Sequence, residues 1–133
     1  MPPTSEPPCP FCSRIADDNV AAATALAVAI PDALPVSPGH TLIVPRRHVA
    51  GWFELPEPEQ AAGLALANAV QRRLAEERAP DGWNIGVNVG AAGGQTIGHV
   101  HLHLIPRYAG DRADARGGVR WILPDRAPYW REG

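Results

Sequence analysis

His99-Val100-His101-Leu102-His103-Leu104-Ile105 is the stretch that decides how this chain is read. Polar and apolar residues alternate through it, and alternation is the period of a β-strand. The three imidazoles then share one face, and Val100, Leu102 and Leu104 share the other. The pattern predicts a strand with one face sealed to a core and the other presenting three groups that titrate near neutral pH. Same-face neighbours on a strand are about 6.7 Å apart at Cα, and the outer pair about 13 Å. Two adjacent imidazoles can converge on one metal at ~2.1 Å, whereas three on a straight strand cannot easily do so. At least one histidine therefore has another task. The plain alternative is a half-exposed strand that carries histidines by chance. Strict alternation directly behind a glycine-rich loop argues against it.

That loop is Gly90-Ala91-Ala92-Gly93-Gly94-Gln95-Thr96-Ile97-Gly98. It lacks the spacing of a dinucleotide fingerprint and opens a strand instead of a helix. It is not a P-loop either, since no Gly-Lys-Ser/Thr follows. Its glycines let backbone N–H groups approach an anion, and Gln95 adds a neutral donor. Alone it would read as a plain turn of a hairpin between residues 83–89 and the histidine strand. Beside three histidines it predicts a phosphate cradle. A neutral imidazole is a good nucleophile toward phosphorus, and a covalent step divides a hard displacement in two. Its reference pKa of about 6.5 leaves much of it deprotonated at pH 7. His101, flanked by the other two, is the candidate nucleophile. His103 can donate to a bridging oxygen or guide water, and His99 can fix local orientation. His40, after Pro38-Gly39, either buttresses the site or is an ordinary strand-edge histidine.

Outward from this hairpin the chain reads as α+β. Residues 26–30 and 41–44 have strand composition, joined by a proline-rich loop over 31–39. A short helix is expected over 11–17, and a helical turn within 49–55. The one long helix spans 58–78, with prolines at its start and Glu57 and Glu59 suiting its N-terminal dipole. Ala61, Leu64, Ala67, Val70, Gln71 and Leu74 form its apolar stripe, and Arg72, Arg73, Glu76 and Glu77 its solvated face. Pro80-Asp81-Gly82 ends it. Residues 1–8 are expected as a flexible tail. Residues 112–133 form an arginine-rich, irregular C-terminal tail, with Trp121, Tyr129 and Trp130 as anchors. Arg112, Arg116, Arg120 and Arg126 could favour the distal phosphates of a polyphosphate if that tail reaches a site.

A length of 133 residues fits one domain with a modest core, helped by dimerisation. A net charge of −2 gives no bulk field favouring nucleic acid or anionic membrane. No apolar run reaches membrane-spanning length and no basic-then-apolar leader is present, so a cytoplasmic location is expected. The two cysteines fall together, as Cys9-Pro10-Phe11-Cys12. A redox dithiol, a metal half-site and a structural accident compete for them. The redox reading wants a preceding strand that a proline-rich leader does not provide. A metal half-site needs two further ligands from elsewhere.

The chain resembles the histidine triad (HIT) superfamily of nucleotide hydrolases and transferases, named for the pattern that residues 99–105 match at every position. The resemblance covers residues 9–111, taken as the HIT domain. It includes Pro38-Gly39-His40-Thr41-Leu42-Ile43-Val44-Pro45, the strand and loop over 88–94, and Gly94-Gln95-Thr96. It implies a HIT-like α+β fold with an antiparallel sheet, one long and one short helix, and a homodimer across which the sheet continues. It implies attack by His101 on an α-phosphate, with a nucleotidyl-histidine intermediate. Gln95, Gly94 and His103 match phosphate and leaving-group contacts, Asp32 a residue that holds ribose hydroxyls, and Asn88 a nucleotide contact. Leu42 and Phe11 fall in the base pocket, and Arg14 falls near a pocket position that is usually apolar.

Gly94-Gln95-Thr96 and residues 107–111 resemble the dinucleoside polyphosphate hydrolase branch, whereas Asn88 resembles the nucleoside phosphoramidase branch. The expected activity is hydrolysis of a dinucleoside polyphosphate to a nucleoside monophosphate, purine in type. A purine nucleoside phosphoramidase is the second choice, and a non-catalytic, zinc-stabilised nucleotide-binding protein the third. The pattern of Cys-x-x-Cys, a mid-chain histidine and the first triad histidine resembles the related galactose-1-phosphate uridylyltransferases. It implies one structural zinc held by Cys9, Cys12, His48 and His99. No organic cofactor is expected. No catalytic metal is expected either, because no magnesium-type carboxylate cluster stands beside the histidines.

Overall fold

The computed structural model describes residues 9–131. Residues 1–8, expected as a flexible tail, lie outside the described residues, as do 132–133. The strands are β1 (Ala22–Ala23), β2 (Ala27–Pro31), β3 (Thr41–Pro45), β4 (Gly82–Val87) and β5 (Leu102–Arg107). They form one antiparallel sheet in the order β1-β2-β3-β5-β4. Helix α1 spans Pro10–Ala16 and helix α2 spans Glu57–Arg78. This is the expected α+β architecture. Among the described residues no helix is long and apolar enough to cross a membrane.

The sheet is covered on both faces, which explains why β2 and β3 read as unbroken apolar runs. Ala27, Ala29, Ile43, Leu102 and Leu104 pack under α2, against Leu66, Ala67, Val70 and Leu74. Val28, Ile30, Leu42 and Val44 turn the other way and pack around Phe11 of α1. Cross-strand pairs set the layout of that second face: Ile30 lies opposite Leu42, and Leu42 opposite His103.

Three expectations are corrected. The histidine strand is shorter than its alternation predicts, because the ladders to both neighbours stop at Leu102, which pairs with Ile43 and Val87. Residues 99–101 run outside the ladder, and the Val100 N–H bonds instead to the Val49 carbonyl at 2.9 Å. Nor do three imidazoles face solvent. His99 is fully buried, His101 is buried, and only His103 is half-buried. The cause is α1, whose Phe11 ring sits 5.8 Å from His99 and 5.0 Å from His101.

The buried stripe of α2 is also rotated from the expected one. Glu59, Gly63, Leu66, Ala67, Val70 and Leu74 are inside, while Ala61 and Leu64 are exposed. In so alanine-rich a helix the apolar pattern is weak, and partners decide the rotation. Arg47 grips Glu59 through Nε at 3.0 and 2.9 Å and through Nη2 at 2.8 Å, which pairs the charge of this buried residue in the first turn.

The C-terminal tail is built from short 3-10 turns at Gly118–Ile122 and Pro124–Arg126. Its arginines stack on its aromatic rings: Arg112 over Trp121 at 4.2 Å, Arg116 over Trp130 at 4.7 Å and Arg120 over Tyr129 at 4.6 Å. Arg120 also donates to the Ala127 and Arg126 carbonyls. Three of the four arginines considered for distal phosphates thus hold the tail together. Gly117, at φ +90°, leaves room for the Trp130 ring, which a Cβ would meet at 3.0 Å.

Candidate active site

A cavity of about 470 Å³ opens on the α1 face of the sheet. That is within the range of small-molecule sites. Phe11, Asp32, Leu42, Asn88, Gly94, Gln95, His101 and His103 all line it. His99 and His40 stand behind this wall, each bonded to structure that positions a pocket residue. Sequence reasoning gave no pocket role to Ile30, Leu34 or Ile97, which also line the cavity. They carry no polar signal, and only the sheet register and the loop fold bring them there.

Hydrogen bonds assign the nitrogens of the histidines. His101 Nδ1 lies 3.0 Å from the His99 carbonyl oxygen. A carbonyl only accepts, so Nδ1 carries the proton and Nε2 keeps a free lone pair. The Val36 N–H donates to His40 Nδ1 at 3.2 Å, so in neutral His40 the proton sits on Nε2. That Nε2 donates to His103 Nδ1 at 2.9 Å, which leaves His103 with its proton on Nε2. Two adjacent rings, His101 and His103, with centroids 5.0 Å apart, therefore carry opposite functions: one offers a lone pair and the other a donor.

Asp32 joins the relay. Its Oδ2 lies 3.4 Å from His40 Nε2, a longer contact than the one to His103, while Oδ1 accepts the Leu34 N–H at 2.9 Å. Burial pushes the His40 imidazole below its ordinary pKa, and the Asp32 charge only partly opposes this. Burial lowers His103 as well, helped by the neighbouring His101 and His40. Both rings are therefore neutral at pH 7, as the tautomer assignment requires. Asp32, His40 and His103 place three donor atoms within 4.8 Å of one another. The hydrogen bonds just described account for both ring nitrogens of His40 and for Nδ1 of His103.

Gln95 has a different place from a free phosphate donor. Its Nε2 donates to the Ala50 carbonyl at 2.6 Å and the Ile97 carbonyl at 2.9 Å, and its Oε1 accepts the Gly90 N–H at 3.0 Å. The side chain braces the glycine-rich loop against the segment before α2. The loop turns through Gly90 and Gly94, both at positive φ, and carries Gly94 through Ile97 into the pocket wall.

A second cluster lies behind the first. Cys9, Cys12, His48 and His99 bring one donor atom each within 4.8 Å of one another. Cys9 Sγ is 3.3 Å and Cys12 Sγ 3.5 Å from His99 Nδ1, and Cys12 Sγ is 3.2 Å from His48 Nδ1. Sulfur and nitrogen ligands of one tetrahedral zinc stand about 3.6 Å apart, by the usual bond lengths. His99 Nε2 donates to the Pro45 carbonyl at 2.7 Å, so its Nδ1 lone pair faces the sulfurs. Such a second bond is the usual way a metal-binding histidine is held. Burial, with the Cys9 side chain, raises the Cys12 thiol pKa, so a metal would have to displace that proton. The four residues fit a structural, closed zinc site.

Residues 13–110 match the family model described as HIT domain. The chain is a member of the HIT family. An uncharacterised HIT-like protein of Mycobacterium tuberculosis is 34% identical over 127 residues, covering 90% of this chain and 85% of its own length. The AP-4-A phosphorylase of the same species is 33% identical over 113 residues, 81% of this chain. The chain spans 58% of that phosphorylase, and the same share of a Mycoplasma genitalium HIT-like relative. Among solved structures, a Zn-bound histidine triad family protein from Mycobacterium smegmatis superposes with a TM-score of 0.73 at 32% identity, covering 80% of this chain and 79% of that one.

Proposed function

We propose that this HIT protein hydrolyses dinucleoside polyphosphates at the α-phosphate through a covalent nucleotidyl-His101 intermediate. The observation that carries this is the His101 Nδ1 bond to the His99 carbonyl, which directs the Nε2 lone pair away from the backbone beside a pocket wall of loop backbone. Nε2 attacks the α-phosphorus and a P–N bond forms. The P–O bond to the leaving group breaks, and the polyphosphate departs as an anion with the bonding electron pair. His103 Nε2–H hydrogen-bonds the bridging oxygen as that charge develops. The positive charge on the substituted imidazole is met by the His99 carbonyl at Nδ1–H. Water then attacks the same phosphorus, the P–N pair returns to His101, the proton of water passes to solvent, and a nucleoside monophosphate leaves.

Phe11 and Leu42 offer apolar contact for the base, Asp32 and Asn88 polar contact for the nucleoside, and Gly94 and Gln95 shape the phosphate end. The AP-4-A phosphorylase among the relatives supports a polyphosphate substrate. Asn88, which lines the pocket and resembles a residue of the nucleoside phosphoramidase branch, supports a phosphoramidate as the second choice. Cys9, Cys12, His48 and His99 hold one zinc that ties the N-terminal segment to the catalytic strand and takes no part in the chemistry.

Turnover of diadenosine triphosphate and tetraphosphate in ¹⁸O-water, with products separated by chromatography and weighed, tests the reading. One ¹⁸O should enter the nucleoside monophosphate, and an alkaline-stable adduct of one nucleotidyl group should form on the chain. Label found only in the other product, or turnover with no adduct even in rapid quench, overturns it.

A further inference from the structure

We infer that Arg14 makes this site selective for 6-oxopurine nucleotides, those of guanine type, over adenine. The inference rests on the nucleotide reading above and concerns only which base it takes. The pocket has a direction. His101 and His103 mark the phosphate end. Across the sheet the floor continues through Leu42, opposite His103, to Ile30, opposite Leu42. Strands are about 4.8 Å apart, so Ile30 lies about 10 Å from His103 across the sheet. Phe11 roofs the start of this slot, 5.0 Å from His101. Arg14 lines the same pocket. It follows Phe11 by three residues on α1 and so stands one turn further along the same side of the helix.

The slot between is apolar, which suits the faces of a base, and its far end carries a guanidinium. Arg14 is clamped there. Its Nε donates to the Asn19 carbonyl at 2.8 Å, and its own carbonyl accepts the Asn19 N–H at 2.8 Å. Among the described residues its two terminal amines have no hydrogen-bond partner and no ion pair. Asp32, the one carboxylate lining the pocket, is engaged by the Leu34 N–H and His40. A half-buried, pre-oriented pair of cationic donors at the end of an apolar slot selects a base edge with two adjacent acceptors. Guanine and hypoxanthine present O6 and N7 side by side and accept both N–H groups. Adenine presents N7 beside the N6 amino group, which sets donor against donor. The expected discrimination in so open a pocket is about tenfold, near the lower end for a bidentate arginine contact.

The test measures calorimetric dissociation constants of GMP, IMP and AMP for the full chain and for the variants Arg14→Leu and Arg14→Lys. GMP and IMP should bind about tenfold more tightly than AMP. Arg14→Leu should bring the three within about twofold of one another. Arg14→Lys should fall between, because an ammonium lacks the planar fork. Circular dichroism melting verifies that each variant is folded. A GMP-to-AMP ratio that survives in Arg14→Leu overturns the inference, as does an Arg14→Leu variant that weakens all three equally, which would place Arg14 on the phosphate. GMP favoured while IMP follows AMP also overturns it, since the 2-amino group would then be what is read. Wild-type protein that binds the three alike removes this inference and leaves the nucleotide reading intact. Absence of any monophosphate binding removes both.

Discussion

His40 Nε2 stands 2.9 Å from His103 Nδ1, and this one contact decides which nitrogen of His103 faces the substrate. The chain runs from the Val36 amide through both nitrogens of His40 to His103, so each proton position follows from the one before. Replacing His40 with phenylalanine keeps a ring of similar size but removes the donor. His103 is then free to turn or to change tautomer. The expected result is a fall in kcat of up to about 100-fold with little change in KM, the pattern of lost positioning at the reacting centre. Steady-state kinetics on a dinucleoside polyphosphate measure it. An unchanged kcat would show that His103 needs no partner.

His101→Ala removes the lone pair itself. Turnover should drop by about three or more orders of magnitude, since the two displacement steps have no substitute nucleophile. The covalent adduct should vanish from the mass spectrum, while monophosphate binding persists through the base slot and Asp32. Near-normal turnover in this variant is the outcome that sinks the mechanism.

The exposed edge of the sheet bears on assembly. β4 pairs with β5 on one side only, and Ile85 on it is 49% exposed. The turn at Gly118–Ile122 approaches part of this strand, and an edge strand with an exposed isoleucine is a template for pairing with another copy. Light scattering behind a sizing column should give a dimer at micromolar concentration, and Ile85→Lys should shift it toward monomer. A monomeric wild-type chain across that range refutes the arrangement.

Local periodicity was enough to place His103 opposite Leu102 and Leu104, because a period of two is a property of the strand alone. It could not show where the ladder stops, since that depends on the partners of Leu102 on both sides. β1 has no signal: two alanines pair because β2 offers a free edge. Glu59 is buried with Arg47 as its ion-pair partner, twelve residues away, and the helix's own pattern does not show that pairing. The triad's neighbourhood was legible for the same reason that the fold was, through the loop and strand motif. The closing of Cys9 onto His99, across ninety residues, was reachable only through resemblance. The bracing role of Gln95 depends on the Ala50 carbonyl, which no spacing rule connects to it.

Acid should destabilise the fold before its carboxylates titrate. Burial holds the folded-state pKa values of His40 and His103 below the ordinary 6.5. The stability linked to these neutral rings is fully present above pH 6.5. It is lost as pH falls below that value, because the unfolded chain takes up protons that the folded chain resists. The melting temperature should decline between pH 7 and pH 5, and His103→Gln should show a shallower decline. A melting temperature that is flat or rises over that interval contradicts the assignment of neutral buried rings.

Zinc binding can be read without any activity. The untagged chain, purified without added metal, should carry close to one zinc, because a closed site with two thiolates and two imidazoles releases metal slowly. Cys9→Ser weakens one ligand and His48→Ala removes one at the exposed side. Each should lower both the zinc content and the melting temperature. For a chain of this length the shift is about 3 to 5 °C per kcal/mol lost, so a shift of several degrees is measurable. The two variants separate metal loss from simple repacking. His48 is exposed, so its removal leaves no cavity in the core, and beyond the metal it loses the contacts of its ring with Cys12 and His99. His99 is different, since its Nε2 bond to the Pro45 carbonyl would be lost as well, and His99→Ala should cost more than His48→Ala. Well under one zinc per chain, together with a His48→Ala variant that melts like the wild type, rules the site out.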